Sequence, residues 1–400
     1  MQSKSHAIDN GPRRIAIATD AWLPQVNGVV TTLGKTKEEL EKTGHTVLML
    51  VPDLSKPGKY VQDNLKLEFF PGRRVVRQLK DFNPDYIHVA TEGTVGLAAR
   101  NYSMRSGKPF STAFHTRHDQ YVVERFGAAA LEVARGYLRW FHAPSSAVMA
   151  TTPSMRAELE AMGLKRVVLW PRGVDTTRFR PQAEGDADPF APYKRGGMRI
   201  VGLHSRVDPE KNLPAFLDLD LPNVKKVVIG DGKDLLMLRA RYPDALFTGK
   251  KLGDELVKHV AALDVFVFPS KSDTFGLVLL EAAACGVPVA AYPVPGPIDV
   301  LGKYPVPAIG ENPEKDECRA FARLNNDLGK AILELMDMVQ NDKAAVAKAA
   351  RSYAITQTWK AATDIFARNL QEDTLPERQR LKQIAKCVRS LVPYLPGPQK

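Results

Sequence analysis

Short apolar runs and longer amphipathic segments alternate along this chain. Runs such as RIAIAT at 14–19 and MRIVGL at 198–203 are each followed by a polar loop and then by a segment with helical spacing. Continuous apolar runs of this length are typical of strands buried on both faces, and their alternation with helices predicts parallel sheets. The pattern fills residues 13–181 and begins again at residue 198. It predicts the α/β fold class, with two doubly wound domains of ordinary size.

Residues 182–197 separate the two predicted domains and are rich in Pro, Gly and Asp, a composition typical of linkers. In the first domain, Asn27-Gly28 predicts the start of a helix that runs to about Lys42. The second domain is predicted to span 198–350 and to end in helical segments at 324–338 and 343–356. The predicted strands of the first domain lie at 14–19, 45–51, 85–90, 109–114, 147–151 and 167–170.

The stretch FVFPSKSDTFGLVLLEAAACGVPVAAY at 266–292 carries the clearest chemistry. Its pattern predicts a strand, a loop, a helix and a second strand. Ligands of open parallel sheets bind beyond the carboxyl ends of the strands, so the loop at 270–276 is expected at a crevice. Asp273 in that loop and Glu281 on the helix then face one cavity. Carboxylates accept hydrogen bonds in pairs, which suits the neighbouring hydroxyls of a sugar or a ribose.

A second polar loop, SRVDPEKN at 205–212, follows the first strand of the second domain and carries Arg206 and Lys211. A guanidinium and an ammonium that converge near a helix start form a good clamp for a diphosphate, because each makes charge-assisted hydrogen bonds. A solvated basic loop is the alternative interpretation.

These two segments resemble the signatures of family 4 glycosyltransferases of the GT-B fold, in which two Rossmann-like domains face a cleft. The family usually has two glutamates with seven residues between them, whereas this chain has Asp273 and Glu281. The resemblance extends from Arg14 to about Leu370. It implies that 351–372 forms a helix crossing back to the first domain. It also implies catalytic roles for Arg206, Lys211, His115 and Asp273, and a ribose contact for Glu281.

The resemblance implies further contacts on both sides of the reaction. Donor contacts are expected from the loop at Gly28, from main-chain groups near Lys251 and Leu252 that pair with the nucleobase, and from Phe275, Gly276 and Leu277. Acceptor pockets of this fold lie in the first domain, where loops vary most. Our candidates on that side are Glu92, Arg117 and Asp119.

The expected activity is transfer of a hexosyl or uronosyl group, with retained anomeric configuration, from a UDP- or GDP-linked sugar to a lipid such as diacylglycerol or to a glycolipid. An alpha-mannosyltransferase that acts on a polysaccharide or lipopolysaccharide is the alternative. Among other enzymes of the same fold, a nucleotide-sugar epimerase or a glycogen-type synthase is the runner-up. A nucleic-acid-binding protein or an inactive GT-B scaffold is a remoter interpretation.

No cofactor and no metal are expected, because Arg206 and Lys211 can neutralise the leaving diphosphate. Asp218-Leu219-Asp220 has the form of a DxD metal motif, but it is predicted to follow a helix, whereas that motif should follow a strand. His115 and His118 have no third ligand at suitable spacing for zinc.

The chain carries 56 Lys and Arg against 45 Asp and Glu, a net charge of +11 that predicts an anionic partner. The basic residues are dispersed and no nucleic-acid motif is present, so nucleic acid is not expected. Residues 373–400 form a basic tail with an apolar stripe that fits an anionic membrane surface, a solvated tail or an intramolecular cover.

Three distant cysteines, Cys285, Cys318 and Cys387, encode neither a disulfide framework nor a zinc ribbon. No stretch approaches the roughly 18 apolar residues of a membrane span. We therefore expect a cytoplasmic protein, peripheral on the inner face of the cytoplasmic membrane if the tail binds lipid.

Overall fold

The computed structural model describes residues 11–25, 27–60, 66–115, 129–301 and 317–370. Among them, the chain divides into two compact units. Unit 1 takes the residues up to 151, then 155–171 and those from 362 onward; unit 2 takes 152–154 and 172–361. The boundaries expected at 181, 197, 350 and 372 stay predictions.

Unit 1 is built on a six-stranded parallel sheet in the order β2-β1-β5-β6-β7-β8, with a separate antiparallel hairpin of β3 and β4. Its strands are β1 (Arg14–Ala18), β2 (Thr46–Leu50), β3 (Gly58–Tyr60), β4 (Lys66–Glu68), β5 (Tyr86–Val89), β6 (Phe110–Phe114), β7 (Val148–Ala150) and β8 (Val167–Leu169). Its helices are α1 (Gly28–Lys42), α2 (Gly72–Phe82), α3 (Thr94–Ser106), α4 (Ala129–His142) and α5 (Pro153–Ala161).

The first strand shows why the apolar runs form a central sheet. Ile15 and Ile17 pack into one core cluster, and Ala16 and Ala18 pack into another. Because successive side chains of a strand point to opposite faces, a continuous apolar run needs a core on each side of the sheet. Helices on both faces supply those cores.

Unit 2 has a second six-stranded parallel sheet, in the order β11-β10-β9-β12-β13-β14. Its strands are β9 (Arg199–His204), β10 (Val224–Ile229), β11 (Leu246–Gly249), β12 (Val265–Phe268), β13 (Val289–Ala291) and β14 (Ala322–Leu324). Its helices are α6 (Ala191–Arg195), α7 (Pro214–Leu217), α8 (Leu235–Arg241), α9 (Gly253–Ala261), α10 (Leu277–Ala284), α11 (Pro295–Leu301) and α12 (Leu328–Thr356), and α13 (Trp359–Asn369) begins in it. Short 3-10 turns lie at Pro209–Lys211 and Glu317–Ala320. This is the doubly wound order, and it reverses between β9 and β12.

Two helical segments were expected near the end of unit 2, and the structure confirms the break between them. Helix α12 has non-helical backbone angles at Asp342, whose carboxylate accepts a hydrogen bond from the Ala345 amide at 2.9 Å. Beyond the break, Arg351 donates to the carbonyls of Thr176, Phe179 and Ala284 at 2.6 to 2.8 Å. These bonds attach the segment after residue 172 to the core of unit 2.

The region between β2 and β5 differs from the sequence analysis, which assigned no element to it. The structure shows the β3-β4 hairpin and the helix α2 there. None of the helices in the described part of the chain combines the length and apolar character that a membrane span requires.

Candidate functional site

The sheet of unit 2 brings two predicted loops together. Strand β9 pairs with β12 through Val201 with Val265 and Gly202 with Phe266. The loops after these strands, at 205–212 and 269–276, therefore leave the same edge of the sheet at the point where the strand order reverses. Crevices at such switch points are the usual ligand sites of doubly wound folds.

Side-chain contacts connect the two loops directly. Lys211 Nζ lies 2.6 Å from Asp273 Oδ1, and both side chains are largely buried. Asn212 adopts a left-handed backbone conformation at φ 54°, and its Nδ2 donates to the Pro269 carbonyl at 3.1 Å. Ser270 Oγ lies 3.4 Å from the carbonyl of Glu210. These contacts place the predicted clamp lysine beside the predicted sugar-binding carboxylate.

The other clamp residue, Arg206, is held by acidic neighbours on its own loop. Its guanidinium donates to Asp208, and its Nη2 lies 2.5 Å from Glu210 Oε1. Asp208 is buried and also accepts from the amide of Lys233 at 3.0 Å. Both predicted cations thus contact carboxylates, and an anionic ligand has to compete with them.

A histidine that the sequence analysis missed lies beside Glu281. His204 Nδ1, at the end of β9, is 3.5 Å from Glu281 Oε2 on α10. Both atoms are buried, and neither makes a hydrogen bond. Leaving a buried polar atom without a hydrogen bond costs about 1–3 kcal/mol, so such atoms are typical of sites that a ligand completes. The sequence did contain one signal for His204, because this residue ends the predicted strand two positions before Arg206.

Gly230 allows the Arg206 loop to lie against the end of β10. A Cβ atom at Gly230 would lie 1.8 Å from the Ser205 carbonyl oxygen, and the residue has φ +155°. The amide of Val207 donates to the Asp231 carbonyl at 2.9 Å across the same contact. Any larger residue at Gly230 would push the loop away from the sheet edge.

The segment before α10 supplies backbone to the site. Gly276 has φ +84°, and a Cβ there would lie 2.9 Å from Phe268 Cζ. Phe275 is buried in the core of unit 2, and Leu277 packs against that core. Of the predicted donor contacts at 275–277, those of Phe275 are therefore limited to its main chain.

The predicted base-binding residues Lys251 and Leu252 lie between β11 and α9, also at the carboxyl edge of the sheet. The Leu252 side chain is 61% exposed. Glycines with positive φ flank the pair, at Gly249 and Gly253. The predicted base-binding pair therefore lies at the same edge of the sheet as the loops after β9 and β12.

Two predicted residues of unit 1 lie at loops or helix starts. Gly28 begins α1, where Asn27 Oδ1 accepts from the amides of Val29 and Val30 at 3.0 Å. His115 follows β6 directly, and its ring packs edge-on against Trp170 at a centroid distance of 5.6 Å.

The candidate Glu92 has structural partners in unit 1. Its carboxylate lies 3.2 Å from His142 Nε2, and its carbonyl accepts from the Tyr137 hydroxyl at 2.7 Å. The pKa of Tyr137 is raised to about 12, mainly by burial of its hydroxyl. The negative charge of the Glu92 carboxylate is the next largest cause. The other acceptor-side candidates, Arg117 and Asp119, lie outside the described residues, as does His118.

A buried carboxylate, Asp20, was not predicted. It follows β1 and accepts from the amides of Val95 at 2.9 Å and Gly96 at 3.3 Å, and from Thr91 Oγ1 at 2.8 Å. It thus caps the start of α3 from another part of the chain. Burial raises the pKa of Asp20, against the opposing effect of these hydrogen bonds.

The DxD-like sequence has a structural explanation in unit 2. Asp218 accepts from the Tyr242 hydroxyl at 2.5 Å and pairs with Arg241 at 3.3 Å. It follows α7 instead of a strand end. Among the described residues, no group of three or more His, Cys, Asp or Glu is arranged to hold a metal ion.

Two protein-family models match the chain. Residues 26–178 match the model described as Glycosyltransferase Family 4, and residues 199–336 match the one described as Glycosyl transferases group 1. The first covers most of unit 1 and the second covers the sheet and site of unit 2.

Two characterised relatives match this chain over more than two thirds of their own length. A GDP-mannose-dependent alpha-mannosyltransferase of Mycobacterium tuberculosis is 32% identical over 308 residues, which are 72% of this chain and 81% of that protein. An alpha-monoglucosyldiacylglycerol synthase of Streptococcus pneumoniae is 28% identical over 320 residues, covering 70% of this chain and 71% of that protein. Among solved structures, sucrose-phosphate synthase of Thermosynechococcus elongatus superposes with a TM-score of 0.65 at 18% identity, covering 89% of this chain and 98% of that one. Together with the two doubly wound units, this likeness confirms the predicted GT-B fold class.

Proposed function

The chain belongs to glycosyltransferase family 4, and from this premise we propose that it transfers a hexosyl or uronosyl group from a nucleoside diphosphate sugar to a hydroxyl of a lipid, such as diacylglycerol, or of a glycolipid. The observation that carries the proposal is the contact of Lys211 with Asp273, which joins the loop that also carries Arg206 to the loop after β12 at the switch point of unit 2. This arrangement fits a diphosphate next to a sugar.

In the proposed reaction, the anomeric C–O bond of the donor breaks and the diphosphate leaves with its electron pair. Arg206 and Lys211 stabilise the negative charge that develops on the diphosphate. The acceptor hydroxyl forms the new bond to the anomeric carbon and passes its proton to the departing diphosphate oxygen, with the anomeric configuration retained as the family implies. The sugar at this stage has oxocarbenium character, so charge stabilisation is the main task of the protein.

The remaining residues bind and orient the donor. Asp273 contacts the sugar and at the same time holds Lys211 in place. Glu281 accepts from the ribose hydroxyls, and His115 orients the sugar. Backbone groups near Lys251 and Leu252 pair with the base. We propose no metal and no cofactor for this step.

A second candidate is an alpha-mannosyltransferase that uses GDP-mannose and acts on a polysaccharide or lipopolysaccharide. The relative that is 32% identical carries the name GDP-mannose-dependent alpha-mannosyltransferase, which favours this donor. The relative named for diacylglycerol favours a lipid acceptor. We further propose a cytoplasmic protein, peripheral on the inner face of the membrane. The basic tail at 373–400, one candidate contact, lies outside the described residues.

Thermal unfolding with UDP, GDP and ADP tests the donor site, because a ligand that binds only the native state raises the melting temperature. A shift with one nucleotide that Lys211→Ala abolishes is the expected result. The matching nucleotide sugars are then incubated with diacylglycerol and with glycan acceptors. Absence of any shift would contradict the donor site. A shift without transfer to lipid, but with transfer to a glycan, would select the second candidate.

A further inference from the structure

Arg178 lies next to the loop that is proposed to bind the base of the nucleotide. The two residues proposed for that contact, Lys251 and Leu252, are followed directly by Gly253, the first residue of α9. A Cβ atom at Gly253 would lie 3.4 Å from Arg178 Nη2. Both segments belong to unit 2. The guanidinium of Arg178 is therefore a direct neighbour of the proposed base loop.

The side chain of Arg178 is exposed and open to a ligand. The hydrogen bond that Arg178 makes to Asp175 Oδ1, at 3.1 Å, comes from its backbone amide. Within the described part of the chain, its guanidinium pairs with no carboxylate. The neighbouring Arg180, by contrast, pairs with Asp186 at 2.8 Å. A ligand thus meets the N–H groups of Arg178 without having to displace a described acid.

The backbone that carries Arg178 is held on both sides. Arg351 donates to the carbonyl of Thr176 at 2.7 Å and to that of Phe179 at 2.6 Å. The Phe179 side chain is buried in the core of unit 2. Because this turn is fixed, ligand binding has to order the side chain of Arg178 alone, which lowers the entropy cost of a specific contact.

The same arginine, Arg351, links this turn to the helix of the proposed ribose contact. It also donates to the carbonyl of Ala284 at 2.8 Å. Ala284 follows Glu281 by less than one turn of α10. The turn of Arg178 is thus attached to the ribose helix, while its guanidinium reaches the base loop. In a nucleotide the base is bonded to the ribose, so an edge of the base is expected beside this guanidinium.

The common bases differ in what they offer to an arginine. Guanine presents two acceptors, O6 and N7, at a spacing that matches the fork of a guanidinium, and this is the commonest specific contact between arginine and a base. Adenine presents N7 beside an amino group, which is itself a hydrogen-bond donor. Uracil has a single carbonyl, O4, on the corresponding edge. A guanidinium at this place therefore favours guanine over both.

We propose that Arg178 selects guanine, so that the sugar donor is a GDP-linked sugar. Main-chain groups near Lys251 and Leu252 pair with one edge of the base, and the Arg178 guanidinium donates to O6 and N7 on another edge. The inference rests on the proposed function, because it takes the positions of the base and the ribose from it. It adds the residue that distinguishes one nucleotide from another.

Calorimetry of the full chain with GDP, UDP and ADP tests the selection. We expect GDP to bind at least about tenfold more tightly than UDP or ADP, and Arg178→Gln to remove most of this difference by weakening the binding of GDP. Arg178→Lys should lose the preference too, since an ammonium cannot make the two parallel bonds of a guanidinium. Arg180→Gln is the matched control, because it removes a neighbouring exposed charge that already pairs with Asp186. This control is expected to bind GDP like the wild type.

An analogue of GDP in which carbon replaces N7 tests the contact itself. The wild type should bind 7-deaza-GDP about three- to tenfold more weakly than GDP, whereas Arg178→Gln should bind the two equally. Equal affinity of the wild type for GDP and 7-deaza-GDP would overturn the proposal. Equal weakening of GDP, UDP and inorganic pyrophosphate by Arg178→Gln, with recovery in Arg178→Lys, would also overturn it. In that case the side chain attracts phosphate charge and does not read the base.

The same measurements separate this inference from the proposed function. Tighter binding of UDP or ADP than of GDP by the wild type would remove the selection by Arg178 and leave the nucleotide site standing. If a folded wild type bound none of the three nucleotides, the nucleotide site and the selection would both be wrong. Cooperative thermal unfolding of each variant at the temperature of the wild type shows that a loss of affinity is not a loss of fold.

Discussion

His204 Nδ1 lies 3.5 Å from Glu281 Oε2, and these two buried atoms make no hydrogen bond. They come from the end of β9 and from α10, two elements that only the sheet order brings together. A ribose hydroxyl that donates to Glu281 would remove one of the two unsatisfied groups. We therefore interpret His204 as a positioning residue that orients the Glu281 carboxylate.

Replacement of His204 by Val should weaken nucleoside diphosphate binding about tenfold, because Glu281 loses its neighbour. The variant His204→Asn should keep most of the affinity for the nucleoside diphosphate, since the amide nitrogen of Asn can take the place of His204 Nδ1. Calorimetry with a nucleoside diphosphate and with inorganic pyrophosphate, which has no ribose, measures the effect. Equal weakening of pyrophosphate binding would mean that the substitution disturbs the whole loop and not the ribose contact.

Lys211→Ala should lower kcat/KM about 100-fold, because the ammonium stabilises the leaving diphosphate and also holds Asp273. Steady-state kinetics with the identified donor gives the ratio. Lys271→Ala is the control, since Lys271 lies in the same loop as Asp273 but its Nζ stacks over the Tyr292 ring at 4.3 Å. An effect of Lys211→Ala within about threefold would refute the clamp.

Glu210→Gln should tighten nucleoside diphosphate binding about three- to tenfold. The Glu210 carboxylate pairs with the Arg206 guanidinium at 2.5 Å. A neutral amide at this position competes less well with the ligand phosphates for the same guanidinium. Calorimetry at constant salt measures the change. Glu255→Gln, a surface carboxylate on α9 paired with Lys258, should have no effect. Weaker binding after Glu210→Gln would indicate that the carboxylate preorganises Arg206 instead of opposing the ligand.

Asp20→Ala should lower the free energy of unfolding by about 1–3 kcal/mol, because it leaves the amides of Val95 and Gly96 without their acceptor. Asp20→Asn keeps an acceptor oxygen and should cost less. Urea unfolding followed by circular dichroism gives both values. Similar stability of Asp20→Ala and the wild type would show that water replaces the cap.

The same residue predicts a pH effect with a definite sign. Burial raises the pKa of Asp20 above 3.8, so the folded state holds this proton more tightly than the unfolded state. The stability that the proton on Asp20 contributes is fully present below the unfolded-state pKa of 3.8. This stability is lost as the pH rises through the folded-state pKa. Relative to the wild type, Asp20→Asn should therefore gain stability as the pH rises above the ordinary aspartate pKa. A constant difference would mean that Asp20 has an ordinary pKa in the folded chain.

Much of the proposed donor site follows from local spacing. Asp273 and Glu281 were predicted on a loop and on the helix after it, and the structure places them there. Strand ends, polar loops and helix starts are local signals, because they depend on the period of the apolar positions and on caps such as Asn27. The pairing of Lys211 with Asp273 was not predicted, since 62 residues separate them.

Other features had no local signal. Asp20 caps α3 although 75 residues separate it from Val95. The β3-β4 hairpin has strands of three residues, too short for a period to be recognised. Phe275 matches a donor motif in sequence, but its side chain lies in the core.

The order of apolar and polar residues was sufficient for the fold class, for two doubly wound domains and for the position of the two candidate loops after their strands, because strand and helix periods are encoded within a few neighbours. The strand order β11-β10-β9-β12-β13-β14 decides which loops lie next to each other. It therefore also decides that Asp273 is the carboxylate that holds Lys211 and that His204 faces Glu281. Strand order arises from packing between residues far apart in the chain, and no short window of sequence contains it.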